Sequence, residues 1–578
     1  MVGFWWSAFP GLPERVPWRP GHSLTLRAFY ERALSLFPGV EIVYRTSRGV
    51  ERYTFSRAAE RMKALAAALE ALGVGRLDPV ATLDWNTHWH YEAYLAVPMM
   101  GAVLHPVNIR LAPSEIAYIM GQAGDRVAIV HRDFLPLIEA VAPHLDQLRA
   151  VVVVDAESHP DRLAGRPVYN YEDLVREHRG GYEWPELDEN QPAAMGYTSG
   201  TTGLPKGAYH SHRMIVLHVM SAALHLATAS PWFRISSGDT ILHIVPMFHV
   251  YSWGLPYLAT LVGMRQVFPN KLDPGVLLRL IDEEQVTLTA GVPTILYMLL
   301  SHPDSERYDL SRLTFINGGS ALPRGLAEQA TRRGIRVIVG YGMTETAPVL
   351  TLALPHAGLS DAGERWLDYA LRTGWPVPLV EVRVVDEDMN PVPRDGKTMG
   401  EVVVRAPWVT PEYYMDPEKT EKAWRGGWFH TGDIAVWHPD GSIEIVDREK
   451  DIIKSGGEWI SSTRLEDAIS RHPCVAEVAV VAAYHPKWQE RPVAAIVPKP
   501  GCKDEPTTEE IRRYLMENYV EKGAIPKWWL PDKVVLVREL PRTSVGKIDK
   551  KKLRAQLRSI LVEELQGSTG STLQPIGS

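Results

Sequence analysis

Tyr197-Thr198-Ser199-Gly200-Thr201-Thr202-Gly203-Leu204-Pro205-Lys206-Gly207 gathers four aliphatic hydroxyls, flexible glycines and one lysine into a short stretch. Such a loop can wrap phosphate oxygens with backbone N–H groups, side-chain donors and a point charge. It is not a Walker loop, because Lys206 follows Pro205 and precedes Gly207 instead of standing in Gly-Lys-Ser/Thr. A GTPase or kinase-type chemistry is thereby weakened. Tyr341-Gly342-Met343-Thr344-Glu345-Thr346 places a hydroxyl beside a carboxylate. That pairing suits a Mg²⁺–phosphate site, with Glu345 on the metal and Thr344 donating to a phosphate oxygen. Thr431-Gly432-Asp433 offers an acceptor for both hydroxyls of a ribose, although Asp after Gly is more often a turn residue. Pro541-Arg542-Thr543-Ser544-Val545-Gly546-Lys547 presents a lysine after a Gly-containing turn, just ahead of the basic run 550–552.

These groups need elements to hold them. Short apolar or β-branched runs at 80–83, 127–130, 151–154, 241–245, 287–290, 314–316 and 336–339 predict strands. Helical spacing between them predicts helices at 274–284 and 323–333, and one that Ser56 caps and Gly73 stops. The alternation indicates an α/β fold with largely parallel sheets buried on both faces. Three of the strands run into glycine, at Gly291, at Gly318-Gly319 and at Gly340. Ligands bind beyond the carboxyl ends of strands in such sheets, so one shared cleft is expected there. From about residue 381 strands and turns dominate. A smaller unit then runs to about 565, with helices at 462–471 and 508–519 and strands at 477–482 and 533–537.

Composition bounds the rest. The 578 residues are 45% hydrophobic and 23% charged, ordinary globular usage for a chain of several structural units. The 62 Lys+Arg against 69 Asp+Glu give a net charge of -7, which disfavours a nucleic-acid-coating role. The apolar stretch 93–104 is broken by Pro98 and Gly101 and is too short to span a membrane, and residues 1–10 lack the basic opening of a secretory signal. Two cysteines, Cys474 and Cys502, cannot build a disulfide framework or a zinc cluster. A cytoplasmic, reducing setting is expected.

Taken in order, these motifs resemble the adenylate-forming superfamily of acyl-CoA synthetases, firefly-type luciferases and peptide-synthetase adenylation domains. The resemblance spans roughly residues 25–565. It is greatest to bacterial long- and medium-chain fatty acyl-CoA synthetases, through Val245-Pro246-Met247-Phe248-His249-Val250-Tyr251-Ser252-Trp253, Lys454-Ser455-Gly456-Gly457-Glu458-Trp459-Ile460-Ser461 and His485-Pro486-Lys487-Trp488-Gln489-Glu490-Arg491-Pro492.

The resemblance implies a carboxylate attacking the α-phosphorus of ATP, release of pyrophosphate, and displacement of AMP by the thiolate of coenzyme A. It assigns Thr198, Ser199, Gly200, Thr201, Thr202, Gly203 and Lys206 to the β- and γ-phosphates, and Glu345 with Thr198 to Mg²⁺. Thr344 falls to the α-phosphate, Gly319, Gly340 and Tyr341 to the adenine, Asp433 with Arg448 to the ribose, and Gly342 to the nucleotide site in general. Lys547 bridges the carboxylate and the α-phosphate, and His249 with Val250 lies between the acyl carbonyl and the nucleotide. Val250, Trp253, Tyr257, Gly291, Gly318 and Ala321 wall an apolar acid pocket, with Leu255 and Val292 nearby. No Asp stands near Val250 to hold an amine, which disfavours an amino acid.

The implied domains are a core at 1–447, a hinge at 448–451 carrying Lys450, a mobile α+β domain at 452–565 and a disordered tail at 566–578. Rotation about the hinge would withdraw Lys547 and bring Lys454 and Trp459 toward the cleft to admit coenzyme A. A fatty acid of medium to long chain is the expected substrate. Another apolar acid (aryl, short-chain or methylthio), or loading of a separate carrier protein, is the alternative. A homodimer is a further expectation from the family.

Overall fold

The computed structural model describes residues 23–198, 204–359, 365–456, 458–502, 506–542 and 548–561. The chain is α/β, with two large parallel-rich sheets, a four-stranded antiparallel sheet and a smaller C-terminal unit.

The eight-stranded sheet has Val103–Pro106, Pro79–Leu83, Val127–His131 and Ala150–Val154 as parallel neighbours, each fully buried or nearly so. At one edge Pro192–Tyr197 turns back into Gly207–Ser211 as an antiparallel pair, Tyr197 opposite Gly207. In the nine-stranded sheet Thr240–Leu242, Leu288–Gly291, Thr314–Asn317 and the start of Arg336–Gly342 lie parallel. The end of that last strand then pairs antiparallel with Val349–Leu352. The helix His88–Met99 is buried at every position and belongs to the same apolar cluster as residues of both sheets. Its Glu92 is tolerated inside because Arg61 lies 2.6 Å away and Tyr53 and Tyr171 donate to it.

The predicted elements exist, with shifted ends. The helix Phe55–Ala71 is capped by Thr54, whose side chain accepts from the Arg57 N–H, so Ser56 sits inside the first turn. The strand expected at 241–245 stops at Leu242, short of Pro246. Conversely, the strand expected to end at 339 continues through Gly340, Tyr341 and Gly342, because the antiparallel partner Val349–Leu352 supplies hydrogen bonds that sequence periodicity does not announce.

Glu381–Val385, Met399–Arg405, Phe429–Trp437 and Ile443–Arg448 form the four-stranded sheet. The C-terminal unit builds on the long antiparallel pair Val475–His485 and Gln489–Pro498, with helices Ser462–Ser470, Thr508–Leu515 and Lys550–Leu557. That pairing brings Cys474 and Cys502 to a Cα–Cα distance of 5.7 Å, and they form one disulfide that a count of two cysteines did not suggest. Among the described residues no helix is long and apolar enough to cross a membrane.

Candidate active site

A cavity of about 340 Å³ opens where the carboxyl ends of the nine-stranded sheet face the hairpin of the eight-stranded sheet. Its polar end is built from that hairpin. Thr198 donates its N–H to the Lys206 carbonyl at 2.9 Å, and the Lys206 N–H returns to the Thr198 hydroxyl at 3.3 Å. Thr198 and Lys206 are therefore paired to each other at the end of the β-hairpin. Ser199, Gly200, Thr201, Thr202 and Gly203 fall outside the described residues, as does Lys547.

Thr344 and Glu345 follow the strand Arg336–Gly342 and line the same wall. Glu345 is 5% exposed, and burial pushes its carboxyl above the usual range. The Tyr413 hydroxyl donates to its Oε1 at 2.7 Å, while its backbone carbonyl accepts from the Thr410 N–H. The Lys206 ammonium lies 4.3 Å from the centre of the Tyr413 ring, and burial lowers its pKa. Tyr413 thus ties the loop lysine to the carboxylate. Sequence reasoning missed it; the isolated bridge between Ala208 and Tyr413 brings it there, and no spacing in the sequence signals that bridge.

Asp433 is nearly buried in Phe429–Trp437. It accepts from the Tyr341 hydroxyl at 2.7 Å and pairs with Arg448 at 3.2 Å, which raises the Arg448 pKa. Gly318, Gly319, Gly340 and Gly342 line the cavity. Gly342 is obligatory, since a Cβ there would stand 1.8 Å from the Pro348 carbonyl oxygen.

His249, Val250, Trp253 and Leu255 continue the wall toward an apolar end, closed by Ala222 and Leu226 of the helix His212–Thr228 and by Leu258 of the helix Leu255–Val262. These last three were not singled out from sequence, because a helix interior carries the same apolar periodicity whether it faces core or cavity.

Other expected residues lie elsewhere. Tyr257 is fully buried and donates to the Tyr94 carbonyl, a core contact. Gly291 faces Phe315, whose Cζ would stand 3.0 Å from an added Cβ. Ala321 is exposed and Val292 precedes a helix, neither on the cavity wall. Lys454 is exposed, with its ammonium 5.6 Å from the Trp459 ring and 3.8 Å from Glu387, and neither Lys454 nor Trp459 reaches the cavity in this arrangement. Lys450 is likewise absent from the wall. Among the described residues no cluster of three or more His, Cys, Asp or Glu could hold a metal.

Comparison with known proteins fits this geometry. The family model described as AMP-binding enzyme matches residues 30–414, and that described as AMP-binding enzyme C-terminal domain matches 464–547. The chain belongs to the AMP-binding enzyme family. Family membership places it with the adenylate-forming acyl-CoA synthetases. It is 46% identical over 541 residues to a long-chain-fatty-acid–CoA ligase of Thermus thermophilus, covering 93% of this chain and 96% of that one. It is 37% identical over 552 residues to a medium-chain-fatty-acid–CoA ligase of Ectopseudomonas oleovorans, covering 94% and 97%. A 3-methylmercaptopropionyl-CoA ligase of Ruegeria pomeroyi is 37% identical over 522 residues, with 89% and 94% covered. Among solved structures, an anthranilate CoA ligase in complex with anthranoyl-AMP superposes with a TM-score of 0.80 at 25% identity, covering 93% and 98%. ATP-bound MatB from Rhodopseudomonas palustris does so at 0.77 and 25%, covering 93% and 100%.

Proposed function

We propose that this CoA ligase joins a medium- to long-chain fatty acid to coenzyme A through an acyl-adenylate, releasing AMP and pyrophosphate. The observation that carries the acid class is the run of the cavity from the Thr198, Lys206 and Glu345 end to an end closed by Ala222, Leu226, Leu255 and Leu258. Among the described residues no charged group lines that far end, so an alkyl chain suits it and an amine does not.

In this reading the 198–206 loop holds the β- and γ-phosphates, with Lys206 as point charge. Asp433, oriented by Tyr341 and Arg448, accepts the ribose hydroxyls. Thr344 donates to the α-phosphate, and Lys547 neutralises charge as the carboxylate oxygen bonds to the α-phosphorus and pyrophosphate leaves. A buried carboxylate needs a compensating cation, and Glu345, with Thr198 near it, would hold Mg²⁺. The ion would supply charge neutralisation across the phosphates. Adenylation turns a poor leaving group into AMP, which the coenzyme A thiolate then expels.

Rotation of the unit beyond residues 448–451 would exchange Lys547 for the 454–459 hairpin between the two steps. The test is AMP formation over a panel of carboxylic acids from C4 to C18, with and without coenzyme A. Turnover of long alkyl acids that requires the thiol supports the proposal. Preference for a methylthio or aryl acid would replace the fatty acid, and acyl transfer to an added phosphopantetheinyl carrier protein but not to coenzyme A would favour a carrier-loading enzyme.

A further inference from the structure

Four successive non-glycine residues, Val250, Tyr251, Ser252 and Trp253, have φ of 42°, 54°, 49° and 58°, and Gly254 follows at 75°; the first and last of the four line the cavity. L-residues avoid this left-handed region, so a run of four persists only where its surroundings impose it. The imposing groups are identifiable. The Ser252 hydroxyl donates to the Val245 carbonyl at 3.0 Å. Tyr251 is buried, and its hydroxyl lies 3.0 Å from Nδ1 of the fully buried His210. The other ring nitrogen, Nε2, lies 3.4 Å from the backbone carbonyl oxygen of Glu345. A carbonyl oxygen only accepts, so Nε2 carries the proton and Nδ1 accepts from Tyr251.

The chain of donors therefore runs from the turn to the residue that lies at the polar end. The Tyr251 phenol also sits where three parts of the site meet: a Cβ on Gly196 would be 3.8 Å from its oxygen and 3.7 Å from Thr344 Cγ2. At the other end of the turn, Trp253 covers Gly318 so closely that a Cβ there would stand 2.8 Å from its Cη2. Neither Tyr251 nor His210 lines the cavity.

We propose that Tyr251 and His210 are a positioning pair coupling the acid end of the cavity to Glu345, so that an acyl chain against the 250–254 turn and a magnesium nucleotide against Glu345 tighten each other's binding. The inference rests on the proposed acid and nucleotide sites. Coupling of this kind is reciprocal, and each ligand should shift the affinity of the other by the same factor.

The test is calorimetric titration of dodecanoate into the full chain, with and without magnesium α,β-methylene-ATP, which cannot be cleaved at the α–β bond. The wild-type protein should bind dodecanoate about tenfold more tightly with the nucleotide present, within the usual span of such couplings. Tyr251→Phe keeps the ring and should reduce that ratio to about twofold or less, with each ligand alone bound within about threefold of wild type. His210→Gln can still donate to the Glu345 carbonyl and accept from Tyr251, and should retain most of the coupling; His210→Leu should lose it. Wild-type coupling in Tyr251→Phe and His210→Leu, or no coupling in a wild-type protein that binds both ligands, overturns the inference. A wild-type protein that binds neither ligand overturns the functional proposal instead.

Discussion

Ala222 and Leu226, one turn apart on His212–Thr228, close the apolar end of the cavity and are 7% and 2% exposed. Ala222→Leu adds three carbons to that wall and displaces about as many methylenes of a bound chain. At about 0.8 kcal/mol for each buried methylene the loss is about 2.4 kcal/mol, or about 60-fold in kcat/KM, for acids long enough to reach the wall. Acids several carbons shorter should be unaffected, as should the KM for ATP. Leu226→Ala removes three carbons and should favour longer acids by a similar factor, at a stability cost of about 2–5 kcal/mol from the cavity created. The assay is kcat/KM for AMP formation with even-numbered acids from C4 to C18, alongside the thermal unfolding midpoint. If Ala222→Leu lowers kcat/KM by one factor at every length, the alkyl chain does not occupy this end and the reasoning fails.

Other perturbations separate the remaining roles. Lys547→Ala should slow adenylation about 10²–10³-fold while sparing thiol attack on preformed acyl-adenylate, which single-turnover kinetics of the two half-reactions will show. Asp433→Asn should raise the KM for ATP about tenfold to a hundredfold, since hydrogen bonds to a charged group are lost, with little change in the acid KM. Gly342→Ala should lose nucleotide binding and lower the unfolding midpoint together, because its Cβ would collide with the Pro348 carbonyl. Burial raises the Glu444 carboxyl, but hydrogen bonds from His438 and Arg464 outweigh that and bring it down to about 2. Glu444 therefore stays charged in the folded chain where it would protonate near 4.5 when unfolded. Its contribution is complete above pH 4.5 and drains away toward pH 2. The gap in unfolding midpoint between wild type and Glu444→Gln should shrink over that window.

Much of the architecture is legible in the sequence because its signals are local. Apolar strands such as Ala150–Val154 and capped helices such as Pro274–Glu283 announce themselves by period and by turn residues. The glycines after Thr314–Asn317 and within Arg336–Gly342 likewise point to one cleft, and Gly318, Gly319, Gly340 and Gly342 do meet there. What the sequence hid is non-local. Tyr413 reaches Glu345 through a bridge to Ala208, roughly two hundred residues away in the chain. His210 looks like any strand histidine until its partners Tyr251 and Glu345 are seen. Tyr257 errs in the opposite direction: it shares an apolar stretch with Trp253, yet its helical phase turns it into the core against Tyr94.

The central claim is that one cavity binds magnesium ATP so that a fatty carboxylate displaces pyrophosphate from it. Isotope exchange between labelled pyrophosphate and ATP, in the absence of coenzyme A, measures that step alone. Exchange that requires both a fatty acid and Mg²⁺, and that falls at least about a hundredfold in Lys547→Ala, is the predicted result. No exchange with any alkyl acid, from a folded protein that binds the nucleotide, would contradict it.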